Sequence, residues 1–369
     1  RDWALFLPTT RRLRQNNGCG TGCRCELERR RLITQETSAS PSLLLRTRYA
    51  LEAAALEAAI FTTGSLSRRI VGWLACSLGA MAYYADFRGR GTALENLRCA
   101  FPEKSLAKRR SLARQSYQHM AFTFLDLFWA QNLTADNWED YVDLVFEEPE
   151  TTRHVEATSG IWITPHFGNF EWSALIQGLR GIHFQIIAQN FRNAALTPLF
   201  KKLREQTGHR IIPQERAMLR LFKVLKKGGH TALLSDLNVD LSQSPAVIDC
   251  FGLKTCVTTL HAVLAVRCEV PVIPVVVIRL EDGRYRMVAT RPLHFSADMP
   301  AWQIAQRCWD AFEPYIREHP EQWLWMYKHW RYSPATAPAG DYPEYAHPKR
   351  KFDRILANQQ RPELRLSEG

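Results

Sequence analysis

The sequence predicts an α/β fold with a mixed, mostly parallel central sheet flanked by helices, and with interfacial helices at the N-terminal side. Two observations lead to this prediction. From about residue 140 onward, short apolar runs alternate with helix-like stretches, as they do in layered α/β domains. Several of the runs, among them 161–163 and 275–278, are apolar at every position, which is typical of central strands covered on both faces.

One hairpin is predicted inside this sheet. Residues 278–288 contain Glu281, Asp282 and Gly283 between two apolar ends, which favours a tight antiparallel connection. The sheet is therefore expected to be mixed. The predicted strands are 141–146, 160–164, 183–188, 210–212, 231–235 and 270–280, and the predicted helices between them are 170–179, 196–207, 217–227 and 258–267.

Two helices upstream of the sheet are predicted to contact a membrane. Residues 45–60 carry apolar side chains every three or four positions, the pattern of an amphipathic helix. Residues 70–84 contain no charge but are shorter than the roughly 20 residues that a bilayer span needs. Arginines at both ends and aromatic side chains near one end favour a helix lying in an interface. A buried core helix is the alternative, and a third helix is predicted over 104–130.

Composition limits the classes of protein that fit. The chain has 369 residues, 46% hydrophobic and 23% charged, enough for one large domain or two modest ones. Residues 1–48 hold ten Lys or Arg and four Asp or Glu, so they supply much of the net charge of +11. The mildly basic remainder suits acidic partners, such as anionic lipids, phosphorylated glycolipids or an acidic carrier protein. Nine cysteines in so long a chain favour a reducing compartment.

Composition also divides the chain into segments. Residues 1–42 are predicted to be a disordered leader, with a basic tail for nucleic acid or membrane as the alternative. An alternative function for the whole chain, non-catalytic binding of lipid or nucleic acid, would rely on the basic charge of residues 1–42. The three cysteines of that segment lack the spacing of a zinc site, and no metal is expected. Residues 43–95 are assigned to the membrane-associating helices, 96–335 to the catalytic domain, and 336–369 to a polar C-terminal tail with little core.

The candidate active site is the stretch 164–171, Thr-Pro-His-Phe-Gly-Asn-Phe-Glu. Its proline ends the preceding strand, its glycine permits a sharp turn, and Asn169 can cap the helix that follows. His166 then projects from the carboxyl edge of the sheet, where open α/β sheets bind their ligands. A neutral imidazole can take a proton from an alcohol. Glu171 is predicted to hold the other ring nitrogen, as the acid does in serine hydrolases.

The alcohol is expected to come from the substrate, because no Ser or Cys stands in a G-x-S-x-G context. Backbone N–H groups near residues 168–170, or an arginine, are candidate donors to the oxyanion that forms. A hydrolase in which His166 activates water remains an alternative. So does a purely structural function for the stretch, because a histidine and a glutamate five positions apart form a short pattern.

The stretch 164–171 resembles the signature block of the bacterial lipid A biosynthesis acyltransferases, which the mycobacterial phosphatidylinositol mannoside acyltransferases share. The resemblance spans roughly residues 44–333. Further blocks follow in the family's order: 93–103 (ALENLRCAFPE), 233–236 (LLSD), 250–252 (CFG), 258–259 (TT), 270–275 (VPVIPV) and 320–325 (PEQWLW), with Lys328 and Arg331 after the last.

The resemblance implies a lysophospholipid-acyltransferase-like sandwich that moves a fatty acyl chain from acyl carrier protein or coenzyme A to a glycolipid hydroxyl. The acceptor would be a lipid A precursor at the cytoplasmic face of the cell inner membrane. Neither a cofactor beyond the donor nor nucleic acid is expected. The resemblance assigns His166 as general base, Glu171 as the acid that orients it, and Asp236 as a second acidic site residue.

Two departures from the family pattern leave the acceptor open. Gln189 replaces the usual basic residue near the thioester, so Arg192 and Arg204 are the candidate substitutes. Where many members have D-x-D, this chain has Asp-Leu-Asn at 236–238. A mannosylated phosphoinositide and a lysolipid are therefore alternative acceptors. Asn169, Lys328 and Arg331 complete the predicted substrate contacts, the two cations because they suit phosphates; a solvated helix end is the alternative for both.

Overall fold

A seven-stranded sheet forms the centre of the molecule. The computed structural model describes residues 43–359, so the predictions for 1–42 lie outside it. The sheet has the order β1-β9-β8-β2-β5-β3-β4. Its strands are β1 (Val142–Phe146), β2 (Gly160–Thr164), β3 (Phe184–Ile187), β4 (Arg210–Ile212), β5 (His230–Leu234), β8 (Val272–Arg279) and β9 (Tyr285–Ala289); β6 (Ala246–Cys250) and β7 (Leu253–Val257) form a separate hairpin.

The mixed, mostly parallel sheet is confirmed. Neighbouring strands are parallel at every pair except β8 with β9, which form the predicted hairpin. Strands β2 and β8 are buried along nearly their whole length, because helices cover both faces of the sheet. The carboxyl ends of β2 and β5 lie side by side, with Thr164 opposite Leu234. That edge positions the candidate site.

Two layers of helices cover the sheet. Apolar side chains of the helices 87–100, 217–225, 260–268 and 301–310 lie in one core, those of the helices 170–179 and 196–205 lie in the other, and the long helix 106–129 contributes to both. The helices are α1 (Leu43–Gly64), α2 (Arg68–Ala85), α3 (Phe87–Ala100), α4 (Leu106–Trp129), α5 (Pro149–Ala157), α6 (Phe170–Leu179), α7 (Leu196–Glu205), α8 (Ala217–Leu225), α9 (Leu260–Cys268), α10 (Ala301–Asp310), α11 (Glu313–Glu318) and α12 (Arg350–Gln359).

Helix α2 has one packed face and one apolar exposed face. Gly79 lets it approach α4 closely, since a Cβ there would lie 2.4 Å from the Cα of Gln118. On the other face Trp73 is 70% exposed and Met81 is 66% exposed. Within residues 43–359 no single helix is long and apolar enough to cross a bilayer. The α2–α3 pair passes that test of length and composition together, although its two helices meet at 94°.

The C-terminal segment contributes more core than its composition predicts. Phe352 of α12 is completely buried beside Leu241, Val247 and Tyr332, and α12 packs on β6. Residues 336–369 are polar on average, but they contain a short amphipathic helix in which the apolar side chains at 352, 355 and 356 share one face. The prediction of a tail with little core is therefore wrong for residues 350–359.

Candidate active site

The turn between β2 and α6 is built around a glycine. Gly168 has a φ of +54°, and a Cβ there would lie 1.6 Å from the carbonyl oxygen of Val277. Only glycine fits so close to a neighbouring strand in a left-handed conformation. Asn169 then caps α6 as predicted, its side-chain oxygen accepting from the N–H of Trp172 at 3.2 Å. The turn therefore holds His166 in a fixed position at the carboxyl edge of the sheet.

His166 is bound to Asp236, the second residue beyond β5. Nδ1 of the ring lies 2.7 Å from Oδ1 of Asp236, and the backbone N–H of His166 donates to Oδ2 at 2.9 Å. The indole N–H of Trp323 donates to the same Oδ2 at 2.9 Å. The carboxylate thus accepts from the ring, the backbone and an indole at once. Such a set of bonds fixes the orientation of the imidazole.

The ionisation of Asp236 determines which ring nitrogen of His166 is the base. Burial of Asp236, which is 4% exposed, opposes its ionisation. The neighbouring charge and hydrogen bond of His166, with the donation from Trp323, outweigh burial and hold the pKa of Asp236 low, at about 2. An ionised carboxylate only accepts, so Nδ1 carries the proton in the neutral imidazole. Nε2 therefore has the free lone pair.

Glu171 does not hold the ring. Its Oε2 accepts from Nε of Arg204 at 3.0 Å, and its Oε1 accepts from Nη2 of Arg204 at 2.5 Å. The predicted contact between Glu171 and His166 is therefore wrong, because Asp236 already occupies Nδ1. His166 contacts a residue that is distant in sequence, because parallel pairing of β2 with β5 brings it next to Asp236, 70 positions further along the chain.

The site borders a groove of about 1540 Å³ between the N-terminal helices and the edge of the sheet. His166, Glu171, Arg192, Arg204 and Lys328 all line it, which places these predicted residues around one space. A side pocket of about 230 Å³ next to α7 shares the Arg204 side chain. Most of the groove wall is apolar and includes Leu56, Leu78, Met81, Ala82, Met120, Phe124, Leu125, Phe128, Leu233, Leu324 and Met326.

Two predicted substrate contacts lie elsewhere. Asn169 is 1% exposed, and its side-chain N–H group donates to Asp126 at 3.3 Å while its oxygen caps α6. Both ends of that amide are therefore in use within the protein, and it does not line the groove. Arg331 also lies outside the groove lining, beside Tyr332 and Asp240. These two assignments to substrate binding are not supported by the positions found.

The family model for the bacterial lipid A biosynthesis acyltransferases matches residues 39–332. The chain belongs to this family. No curated protein matches the chain. The match contains the whole of the central sheet and every residue of the His166–Asp236–Trp323 arrangement. The expected enzyme class, an acyltransferase, is thereby confirmed, and lipid A biosynthesis is the process that the family serves.

An acyltransferase of this family needs donors for the oxyanion that forms during acyl transfer. Two of the predicted backbone donors are already used: the N–H of Gly168 donates to Gln322 O at 2.9 Å, and that of Asn169 donates to Val277 O at 3.1 Å. The first N–H groups of α6, at Phe170 and Glu171, belong to the helix turn that has no intrahelical acceptor. The Phe170 ring lies 4.9 Å from the His166 ring, centroid to centroid, so these two N–H groups begin a helix that lies beside the imidazole.

A buried cluster behind the active-site turn was not predicted. Asp126 of α4 is fully buried and accepts from Arg68, from Tyr285 and from Asn169. The guanidinium of Arg68 lies over the Trp172 ring, 5.3 Å from its centroid. The sequence did contain a signal, since Asp126 is the only charged residue in the aromatic run 122–129. A lone carboxylate in an apolar helix face needs buried donors.

No group of three or more His, Cys, Asp or Glu side chains within residues 43–359 has the arrangement of a metal site.

Proposed function

We propose that the protein transfers a fatty acyl chain from an acyl thioester to a hydroxyl of a glycolipid such as a lipid A precursor. The thioester is that of acyl carrier protein or coenzyme A. The observation that carries the proposal is the position of His166, which is hydrogen-bonded to an ionised Asp236 and lines a largely apolar groove. Such a groove suits an acyl chain, and the imidazole suits a hydroxyl.

The proposed reaction uses the free lone pair on Nε2 of His166, because Nδ1 carries the proton. Nε2 of His166 removes the proton of the acceptor hydroxyl while the hydroxyl oxygen attacks the thioester carbonyl carbon. Asp236 stabilises the imidazolium that results, and the N–H groups at the start of α6 donate to the oxyanion. Collapse of the tetrahedral intermediate forms the ester and breaks the carbon–sulfur bond. The thiolate leaves with the proton that the imidazolium returns.

The charges around the groove support an anionic acceptor. Arg88, Arg192 and Lys328 line the groove at separate points, and Arg192 and Lys328 are exposed. Guanidinium and ammonium groups bind phosphates well. A phosphorylated sugar at the mouth of the groove would then direct its hydroxyl toward His166 while the acyl chain of the donor lies along the apolar wall.

We propose attachment at the cytoplasmic face of the inner membrane, and the exposed apolar side chains support the part of this proposal that concerns contact with a lipid surface. Trp73, Leu78 and Met81 of α2 are all exposed, and the last two also border the groove. A contiguous apolar surface of this kind is typical of a membrane-contacting site. Replacing Trp73 and Met81 with Gln is expected to reduce flotation with lipid vesicles. Replacing the exposed Val145 of β1 with Gln should leave flotation unchanged.

The His166→Ala variant tests the function. Purified enzyme, an acyl thioester and a phosphorylated glycolipid acceptor are incubated, and the product ester is measured by mass spectrometry. The variant is expected to lose roughly three orders of magnitude or more in rate, because the general base is removed. Circular dichroism should be unchanged. Full transfer by His166→Ala contradicts the mechanism, and thioester cleavage by the wild type that is independent of acceptor identifies a hydrolase instead.

A further inference from the structure

One exposed surface outside the groove has a marked excess of positive charge. Arg216, directly before α8, is followed at steps of four, three and four residues by Arg220, Lys223 and Lys227 along α8 and the turn after it, and all four are exposed. The helical steps place Arg220, Lys223 and Lys227 on one side of the helix, with Arg216 at its N-terminal end. We call this row of four cations the α8 stripe. Within residues 43–359 none of them is engaged in an ion pair.

The opposite side of α8 explains why the stripe faces outward. Ala217, Leu221 and Leu225 are buried against the sheet, in the core that also contains α9. The helix therefore cannot rotate without burying its cations. The acidic residues near the stripe are few: Glu215 is exposed beside Arg216, and the exposed Glu269 lies 3.9 Å from Lys226. The surface remains strongly basic.

The α8 stripe runs away from the mouth of the groove. Helix α8 follows β4 and precedes β5, so it returns from the carboxyl edge of the sheet to the opposite edge. Ala217 and Met218, at its start, line the groove. At its end, the carbonyl oxygen of Leu225 accepts from Ser159, which precedes β2, at 3.2 Å. Eleven residues of helix and turn cover about 16 Å between these two edges.

We infer that the α8 stripe is the docking surface for an acidic, helical carrier protein that delivers the acyl thioester. This inference rests on the proposed thioester donor. A row of four cations about 16 Å long matches the acidic side chains along one helix of a partner. Helix α8 begins at the groove, where Ala217 and Met218 line it, so the Arg216 end of the stripe is the end nearer the groove. A prosthetic arm held on the partner would enter there toward His166.

A membrane surface fits the α8 stripe less well. Leu78 and Met81 of α2, together with Met218 and Leu234, are exposed apolar side chains that line the groove. A flat bilayer that meets this apolar rim contacts the start of α8 only. Lys223 and Lys227 lie toward the opposite edge of the sheet. A nucleotide is equally unsuited, because it spans only part of the row and the stripe lies on a convex helix surface.

Charge reversal of the distal part of the stripe tests the inference. The triple variant Arg220→Glu, Lys223→Glu and Lys227→Glu changes no residue that lines the groove. The KM for an acyl chain carried on acyl carrier protein is expected to rise at least about tenfold, because three charges of the stripe that attract an acidic partner become repulsive. The same acyl chain carried on N-acetylcysteamine, a small thiol, should be transferred at the wild-type rate.

A matched triple variant controls for net charge. Lys108→Glu, Arg110→Glu and Arg114→Glu reverse three exposed cations near the start of α4. Its KM for the carrier-bound substrate should stay within about twofold of wild type. Equal losses in the two triple variants overturn the inference, and so does an unchanged KM in the α8 variant.

Two further outcomes separate this inference from its alternatives. If the α8 variant loses binding to phosphatidylglycerol vesicles and loses both thioester donors equally, the stripe is a membrane contact and the inference is overturned. If the wild type transfers the acyl chain from neither donor to a glycolipid, the proposed function fails. Transfer from N-acetylcysteamine with no response of the carrier-bound substrate to charge reversal leaves the function standing and refutes the docking surface.

Discussion

Two buried carboxylates lie next to the groove, and their partners give them different functions. Asp236 accepts from the His166 ring, whereas Glu171 accepts from Arg204. Both pairs are largely hidden from water. One pair contains the base that the reaction uses, and the other joins the start of α6 to α7 at the groove wall.

The Asp236→Asn variant tests the first pair. An amide in place of the carboxylate keeps the shape but no longer stabilises the imidazolium or selects the Nδ1–H tautomer. We expect kcat to fall by roughly 10²- to 10⁴-fold, and the far-UV circular dichroism to stay the same. Asp240→Asn, which alters an exposed carboxylate four positions further along, is the matched control and should keep its activity. A normal kcat for Asp236→Asn contradicts the assigned tautomer.

The Arg204→Met variant tests the second pair. It leaves the carboxylate of Glu171 without its guanidinium at a site where that side chain is only 7% exposed. Loss of one partner of a buried ion pair costs about 3 kcal/mol in the free energy of unfolding. Adding Glu171→Gln to Arg204→Met should restore part of that loss, since the orphaned charge is gone. Urea denaturation of the two single variants and the double variant measures this, and strictly additive effects rule out the pairing.

At the scale of the element, the turn between β2 and α6 depends on one residue. Gly168→Ala is expected to lower the free energy of unfolding by about 3 kcal/mol or more, because its new methyl group would overlap the Val277 carbonyl and force the turn to move. Gly181→Ala is the matched control. Gly181 also has a positive φ, of 88°, but a Cβ there would meet no atom of the described part of the chain within 4 Å. It should cost only about 1 kcal/mol, and similar losses in both variants would contradict the steric argument.

The elements that were predicted correctly have local signatures. Strands β2 and β5 and the β8–β9 hairpin are short apolar runs with clear breaks, and α6 begins at a capping asparagine. The separate β6–β7 hairpin was not predicted. Its two strands are joined by a turn in which Phe251 and Gly252 both have positive φ values. Such local patterns give the type of an element but not its neighbours.

The error in the site arose from strand order. His166 and Glu171 are close in sequence, so their pairing was the natural prediction. The chain instead places β5 directly beside β2 and moves β3 and β4 beyond it. Asp236 therefore reaches His166, and Glu171 reaches α7. Contacts of this kind depend on the packing of the whole sheet, which no short segment encodes.

At the scale of the whole molecule, buried histidines predict loss of stability in acid. Burial lowers the pKa of His209, His261 and His329 to about 4, below the usual value of 6.5. Between pH 4 and 6.5 the unfolded chain therefore binds more protons than the native one. The stability that the three neutral histidines contribute to the free energy of unfolding is fully present above about pH 6.5 and is lost as the pH falls toward 4.

His261→Leu isolates one of these contributions. His261 is 1% exposed, and among residues 43–359 neither of its ring nitrogens has a hydrogen-bond partner. Replacing it with an apolar side chain should reduce the pH dependence of the free energy of unfolding by about 1 kcal/mol per pH unit between pH 4.5 and 6. The exposed His294, changed to Leu, should leave the slope unaltered. Denaturant melts at a series of pH values provide the measurement, and an unchanged slope for His261→Leu refutes the assignment.

The carboxylate of Asp126 links the N-terminal helix α2 to the turn that holds the catalytic histidine. Arg68 at the first position of α2 and Asn169 at the cap of α6 bind the same oxygen pair, and Tyr285 of β9 does so as well. If α2 rests on lipid as proposed, a tilt of that helix would move Arg68 and, through Asp126, Asn169 in the turn that carries His166. Release from the bilayer would then slow the enzyme by loosening its base, even with both substrates supplied in detergent.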